Sequence, residues 1–495
     1  MEKPVIHSRL LEQIAPALPK DKPVYLVGGG VRDFLLNRET KDYDFAMDSG
    51  SLETARQVAD ILRAGYYPLD EMRHTGRVVL VQEDGSRIFL DFALLRGPNL
   101  ESDLRGRDFT INTLTVDVHN PNSLLDPLGG VADLRDKVLR SCSPTAMEDD
   151  PIRILRGARL ATALSFRITS DTLKQMRQAV PSLKRVSPER LRDELFRILD
   201  GPQPATAMRL LDMLGVLPEL LPELQLLKGV SQPHPHVFDA WTHTLKTVEN
   251  LERVLNILAK EYNPDESTNL MMGLISMQLG RYREQLDVHV NERLTPDRNL
   301  RPLLHLAALY HDAGKPSQRQ EEEDGRVRFI GHEAESKRLI RKRSHALHLS
   351  TAEIEHLGRI VGAHMRPLLL SQANQAPSRK AIYRFFRDLG AAGVDVCLLS
   401  LADTLATYGT TLPQEYWQRH LQVVRQLLEA WWEKPAESVS PPELLRGGDL
   451  IRELRLEPGP VIGKILEAIR EAQATGEVIT YAQALDFARS WLEQR

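Results

Sequence analysis

The period of the hydrophobic positions changes several times over the first 145 residues, and each change marks an element. Val24-Tyr25-Leu26-Val27 is a short apolar run that predicts a buried strand, and Gly28-Gly29-Gly30 ends it. Residues 31–38 then read as a short helix, 43–47 as a second strand and 52–64 as an amphipathic helix. Alternation over 77–82 and 87–94, either side of the turn Glu83-Asp84-Gly85-Ser86, predicts a β-hairpin. These elements make a mixed sheet carrying helices, in a head that spans 1–145. From Asp150 the pattern is helical and stays so. It divides into a neck at 146–228, a histidine-bearing block at 229–432, and a linker with a small helical module at 433–495, where the proline-rich stretch 433–442 is the linker. The fold class is α+β: a mixed-sheet head followed by all-α domains.

Composition narrows the function classes. A chain of 495 residues is long enough for three or four domains, and 42% hydrophobic with 27% charged residues is the balance of a soluble globular protein. No apolar run approaches the roughly 18 residues that span a bilayer, so neither an integral membrane protein nor a membrane partner is expected. The N-terminal MEKPVIHSRLLEQIAP carries acid and proline where a signal peptide requires an unbroken apolar stretch. Cys142 and Cys397 are the only cysteines, which excludes a disulfide scaffold or a cysteine zinc cluster and suits a reducing cytoplasm. The net charge of -4 gives no overall attraction to nucleic acid. Residues 151–210 nevertheless hold twelve Lys/Arg against five Asp/Glu, a local basic surface suited to a polyanion.

The head carries a candidate site. Asp42 and Asp44 are two apart at the start of a strand, so both carboxylates share a face, and two like charges held that close call for a cation. Asp91, in the hairpin strand, supplies a third oxygen ligand from a neighbouring strand. Such a set suits Mg²⁺, with substrate phosphates completing its shell. Upstream, the three glycines allow close backbone approach at the start of a helix, with Arg32 and Asp33 in its first turn.

The segments Leu26-Val-Gly-Gly-Gly-Val-Arg-Asp33 and Lys41-Asp-Tyr-Asp-Phe45 together resemble the signature of class II tRNA nucleotidyltransferases and bacterial poly(A) polymerases. Further segments extend the resemblance over about residues 20–225. Arg107-Asp-Phe-Thr-Ile-Asn112 is similar to the motif in which Arg107, Asp108 and Asn112 would hold ribose and triphosphate, beside Gly29, Gly30, Arg32 and Asp33. Asp126-Pro-Leu-Gly-Gly-Val-Ala-Asp-Leu134 resembles the hinge between head and neck. Asp149-Asp-Pro-Ile-Arg153 stands where the family reads the incoming base, which implies Asp150 and Arg153 as readers with Arg156 on the same helix face. Ser187-Pro-Glu-Arg-Leu-Arg-Asp-Glu194 resembles the neck motif that supports that reader. Two positions depart from the family pattern: Gly106 replaces the first arginine of Arg-Arg-Asp, and Asp149 replaces a glutamate.

The helical block holds a second candidate site. Adjacent His311-Asp312, in Leu309-Tyr-His-Asp-Ala-Gly-Lys315, cannot both be buried without partners, and a divalent metal resolves that. His243, His332, His364 and Asp403 complete an ordered set that resembles an HD-domain phosphohydrolase. The resemblance implies that His243, His311, Asp312 and Asp403 bind a first metal. His332 and His364 would bind a second or position the scissile phosphate, and Lys315 would contact phosphate. His234 and His236 lie nearby without matching the set.

Together these features imply a template-independent enzyme that adds C and A to tRNA 3′ ends from CTP and ATP. Mg²⁺ is its implied cofactor in the head, and a metal-dependent HD phosphohydrolase is fused to it. The alternatives are an enzyme restricted to CC or to A, then a poly(A) polymerase, then a non-catalytic RNA-binding protein. The restricted reading rests on the short stretch between Asp91 and Arg107, which leaves no room for the extended loop that helps reshape the pocket from C to A. A segment near 71–75 is the candidate substitute for that loop.

Overall fold

The computed structural model describes residues 9–71, 74–83, 85–261, 269–373 and 375–494, so two residues of the 71–75 segment and Asp84 of the hairpin turn lie outside the described residues. The chain divides into two compact units, one of residues 1–190 with 213–215 and one of 191–212 with 216–495.

The first unit is built on a seven-stranded sheet. Its strands are β1 (Val24–Val27), β2 (Asp42–Met47), β3 (Gly65–Asp70), β4 (Thr75–Val81), β5 (Arg87–Leu94), β6 (Thr115–Asp117) and β7 (Leu124–Leu125), in the order β3-β4-β5-β2-β1-β6-β7. Only β2 and β5 run parallel; the other neighbours are antiparallel. The pairing of β2 with β5 sets Asp44 opposite Asp91, and the pairing of β1 with β2 sets Val27, the last residue before the glycines, opposite Asp44. Helix α1 (Gly29–Leu35) starts directly on the glycines, two residues earlier than the apolar pattern suggests, because Gly28 already turns the chain with φ of 82°. Strand β3 was not signalled by the sequence: its exposed Tyr67, Pro68 and Leu69 show no clean alternation. Helix α2 (Ser51–Leu62) buries Ala55 and Val58, Leu90 and Val78 are likewise fully buried on the sheet, and Phe45 stacks on Phe92 at 4.5 Å between ring centroids. Each such side chain contributes about 1.5–3 kcal/mol by leaving water. Further on come α3 (Leu100–Arg105) and α4 (Arg153–Leu164), and Arg190 lies in the first turn of α5 (Pro188–Leu199).

The second unit is helical. Its metal-candidate residues come from α6 (Ala240–Ile257), the end of α7 (Leu300–Tyr310), the start of α8 (His332–Ala346), the end of α9 (Thr351–Ala363) and α10 (Ala392–Tyr408). Helix α10 is apolar on all sides and buried from Ala392 to Ala406, which is the signature of a central core helix. Towards the C-terminus, Leu450, Ile465, Ile469 and Val478 form a small core of their own. Among the described residues, no single helix is long and apolar enough to cross a membrane.

Candidate functional sites

In the first unit a cavity of about 890 Å³ is lined by Gly28, Gly29, Asp44, Asp91, Arg107, Asp108, Asn112, Asp150, Arg153, Arg156 and Arg190, among others. Gly28 is irreplaceable here on two counts. Its φ is positive, and a Cβ would stand 2.8 Å from Asp44 Oδ2. Asp42 lies at the exposed start of β2, on the same face as Asp44 by strand parity. Burial pushes the Asp44 carboxyl up to about 6; Arg107 pulls the other way, and Asp91 and Asp42 add to the rise. That clustering of like charge fits a site for a divalent cation with oxygen ligands.

The structure adds a partner that the sequence reading missed. Arg77 grips Asp91 with two hydrogen bonds, Nε to Oδ1 at 2.7 Å and Nη2 to Oδ2 at 2.6 Å. The hairpin held the signal. Val81 pairs with Arg87, and counting four residues back along one strand and on along the other brings Arg77 opposite Asp91.

Behind the carboxylates runs a continuous polar chain. Arg32 holds Asp33 through Nε and Nη2, each at 2.9 Å, and donates from Nη1 to Asn112 Oδ1 at 2.7 Å. Asn112 donates to Asp108 Oδ1 at 3.0 Å, and Arg156 meets Asp108 Oδ2 at 3.1 Å. Burial works against the charge on Asp108, yet Arg156, Asn112 and the Phe109 amide hold its carboxyl below the ordinary range. Arg107 is braced by Asp103, which is 3% exposed and also accepts from the Arg96 amide at 3.0 Å.

The residues expected to read the base fall in unequal positions. Asp150 accepts from Arg190 Nη2 at 2.7 and 3.0 Å. Arg153 is 8% exposed and donates to the carbonyls of Gly106, Arg107 and Ala146 at 2.7, 3.1 and 3.1 Å. The basic surplus of 151–210 is partly spent in the same way: Arg185 pairs with Glu148, Arg192 with Asp193 and Arg197 with Glu194.

In the second unit the HD set converges. His243 Nε2 lies 3.2 Å from His311 Nε2 and 3.0 Å from Asp403 Oδ1, and Asp312 Oδ2 lies 3.1 Å from His311 Nε2. Asp312 Oδ1 is 3.2 Å from His332 Nε2 and 3.9 Å from His364 Nε2. Two triads, His243/His311/Asp312 and Asp312/His332/His364, are compact enough to hold an ion each and share Asp312.

The rings are pre-aimed. Nδ1 of His311, His332 and His364 donates to the carbonyl three residues back, of Ala308, Phe329 and Val361, at 2.7, 2.8 and 2.8 Å. In the neutral ring this leaves the Nε2 lone pair facing the centre. Nε2 of His364 is buried without a hydrogen-bond partner among the described residues, as a ligand nitrogen would be. Burial pushes His364 down to about 3, with His311 adding to the fall. Burial would lower His311 too, but Asp312 and Asp403 raise it to about 10, and burial likewise opposes the charge on both aspartates, which His311 and their other partners hold well below the carboxylate range. A metal would take over the role those protons play here.

Lys315 donates to Asp312 Oδ2 at 2.6 Å and to Gln232 Oε1 at 2.5 Å, and lies 3.5 Å from His236 Nε2. Gln232 and His236 are thus part of the site's rim. His236 stood in the sequence without a matching motif position, and Gln232 carried no signal.

Comparison with known proteins fits both sites. Residues 24–140 match the Poly A polymerase head domain, 165–227 the RNA and SrmB-binding site of polymerase A, 241–408 the HD domain and 412–488 the tRNA nucleotidyltransferase domain 2. The A-adding tRNA nucleotidyltransferase of Deinococcus radiodurans is 34% identical, over 97% of this chain and 98% of that protein. The chain belongs to the tRNA nucleotidyltransferase family. Within that family the CC-adding tRNA nucleotidyltransferase of Thermus thermophilus is 32% identical, over 96% of this chain and 94% of its own length. The Multifunctional CCA protein of Pseudomonas paraeruginosa is 35% identical, over 46% of this chain and 58% of that protein. The fold matches the Thermotoga maritima CCA-adding enzyme complexed with tRNA, with a TM-score of 0.56 and 21% identity over 98% of this chain and 94% of that one. The chain is therefore a nucleotidyltransferase with an HD domain, and both families are metal-dependent.

Proposed function

We propose that this enzyme carries out one part of CCA addition, joining two cytidines from CTP to the 3′ end of cytoplasmic tRNA. The observation that carries the restriction is the stretch between Asp91 and Arg107. Asn99 caps α3 by accepting from the Ser102 amide at 2.9 Å, and buried Asp103 ties the Arg96 amide at 3.0 Å to Arg107 at 2.9 Å. A segment fastened at three points and built partly as helix is a poor lever for swinging the pocket from C to A. The relatives named above at 32–34% identity over nearly the whole chain add A or CC; the CCA-adding enzyme that also spans it shares the fold at only 21% identity, and the multifunctional CCA relative matches under half of the chain. A second reading, addition of A alone, has its support in the Deinococcus relative.

In this reading Asp42 and Asp44 hold Mg²⁺ and Asp91, oriented by Arg77, completes the acidic face. Mg²⁺, when bound, supplies charge neutralisation for the triphosphate and acidifies the primer hydroxyl. Arg32, Asp33, Arg107, Asp108, Asn112 and the backbone of Gly29 and Gly30 surround ribose and triphosphate, with Arg156 bracing Asp108. Asp150 meets the base edge. The HD centre hydrolyses phosphate esters, with His243, His311, Asp312 and Asp403 as metal ligands, His332 and His364 on the second position and Lys315 on phosphate.

The test is product length on a tRNA lacking its 3′ end, with CTP and ATP both present. Stopping after two cytidines is the expected result. A terminal adenosine on that substrate overturns the restriction, and addition only to tRNA already ending in CC favours the second reading.

A further inference from the structure

We propose that Gln232 and His236 form an uncharged perch for the Lys315 ammonium, which lets a metal ion and that ammonium share the edge of the helical unit's centre. Both act through Lys315, as positioning residues. This rests on the reading that the centre is a metal-dependent phosphohydrolase with Lys315 on the phosphate.

Lys315 stands in a crowded place. It is 5% exposed, and its ammonium meets Asp312 Oδ2 at 2.6 Å. The same oxygen lies 3.1 Å from His311 Nε2 and 3.4 Å from His243 Nε2. An ion held by the His243/His311/Asp312 triad would therefore lie against the oxygen that the ammonium uses. Two cations on one oxygen repel, so the ammonium has to withdraw when an ion arrives, and a buried ammonium without an acceptor is very costly. Acceptors are already in place: Gln232 Oε1 lies 2.5 Å from Nζ and His236 Nε2 3.5 Å. The Phe329 ring, with its centroid 5.6 Å from Nζ, adds a cation–π attraction. None of these groups carries a negative charge, so they hold the ammonium and leave its charge available to a phosphate.

The perch is built into the fold. Gln232 donates from Nε2 to the Phe238 carbonyl at 3.2 Å, which fixes its amide with Oε1 towards Lys315. His236 Nδ1 donates to the Pro233 carbonyl at 3.2 Å, which leaves the Nε2 lone pair for the ammonium. The segment that carries both residues is fastened to two of the helices that carry candidate ligands. Asp239 caps α6 by accepting from the Thr242 amide at 2.8 Å, and it also accepts from the Gly229 amide at 3.2 Å. The Val237 amide donates at 3.1 Å to the carbonyl of Thr407, one turn beyond Asp403 on α10. The His236 ring packs edge-to-face with His243, their centroids 5.2 Å apart. Gln232 and His236 thus keep their places relative to the metal centre while the ammonium makes a short shift.

The experiment takes two readings on full-length protein. One is the Co²⁺ affinity of the metal-free protein, followed by the visible absorption that imidazole ligation gives the ion; the other is kcat and KM for a chromogenic phosphodiester. Gln232→Met should weaken Co²⁺ binding roughly ten-fold, the scale of one hydrogen bond to a charged group, because the ammonium falls back on Asp312. It should also raise KM for the diester more than it lowers kcat. Gln232→Glu, which keeps an acceptor, should return the Co²⁺ affinity to at least the wild-type value. His236→Phe should move both readings the same way by less. In a Lys315→Met background, Gln232→Met should leave Co²⁺ affinity unchanged, an outcome that a merely structural role does not give. The assignment is overturned if Gln232→Met retains wild-type Co²⁺ affinity, or if it weakens binding equally when Lys315 is absent. A wild type that binds Co²⁺ but hydrolyses no phosphate ester sinks the phosphohydrolase reading, while the Co²⁺ titrations still decide the perch. A wild type that takes up no Co²⁺ overturns both.

Discussion

The two acidic centres of this chain solve the same electrostatic problem in opposite ways. In the first unit the carboxylates stand on one face of a sheet at the wall of a wide cavity, with arginines as the nearby positive charges. In the second, carboxylates and imidazoles are buried in a helical core and fall into two triads that share Asp312. An open all-oxygen set is incomplete until a substrate brings its own phosphates, which suits an ion that keeps few protein ligands. A closed nitrogen–oxygen set is nearly complete by itself and suits a resident ion. The contrast predicts that the two centres fail independently.

The largest effect that would break this comparison is in the head. Asp44→Ala should lower nucleotide addition by about three orders of magnitude or more, since on the proposed assignment it removes a metal ligand worth several kcal/mol of transition-state stabilisation. Phosphate-ester hydrolysis by the same variant should be unchanged, as assayed on a chromogenic phosphodiester. Parallel loss of both activities would mean that the centres are coupled. The converse variant is next in size. Asp312→Ala leaves both triads without their shared carboxylate, so bound metal measured after dialysis should fall to background and hydrolysis with it, while CTP incorporation persists.

A smaller effect separates the metal centre from the helix that carries it. Asp395, two turns before Asp403 on α10, is fully buried and accepts from His289 Nε2 at 3.1 Å and His356 Nε2 at 2.9 Å. Burial opposes the charge on His289, but Asp395, with Glu292 behind it, raises its pKa above the ordinary histidine value. The stabilisation from that charged ring is therefore complete below about pH 6.5 and is lost as pH rises through the raised value. His289→Gln should cost about 1.5–3 kcal/mol at pH 6, the worth of a charge-assisted hydrogen bond, and less at pH 9. Urea denaturation at the two pH values checks this, and a larger cost at pH 9 would mean that the ring is neutral when folded.

How far each region was legible follows from the range of its contacts. The head strands carry their own period, so β1 and β5 match the sequence reading and β2 matches to one residue, and strand parity placed Asp42 and Asp44 on one face. The partners of those residues were less accessible. Arg77 required the hairpin register, and the bracing of Arg107 by Asp103 depends on how a six-residue helix closes the loop. The candidate HD ligands were visible as an ordered set, yet their spacing of up to 160 residues says nothing of distance, and only the packing of five helices on one another brings them within reach. The arginine surplus of 151–210 is legible as composition. What composition cannot convey is that Arg153 points into carbonyls and Arg190 does not.

The carbonyls that hold His311, His332 and His364 carry a consequence for how this centre can change over evolutionary time. An orienting aspartate or glutamine can be lost in one mutational step, but a main-chain oxygen is supplied by every amino acid at that position. Substitution at residues 308, 329 or 361 can therefore proceed widely, within the limits of packing, without freeing the rings. Lengthening or shortening the adjoining helix by a residue is what would misdirect them. The centre should thus tolerate sequence drift around it far better than insertions and deletions, and its geometry should outlast whatever substrate it first served.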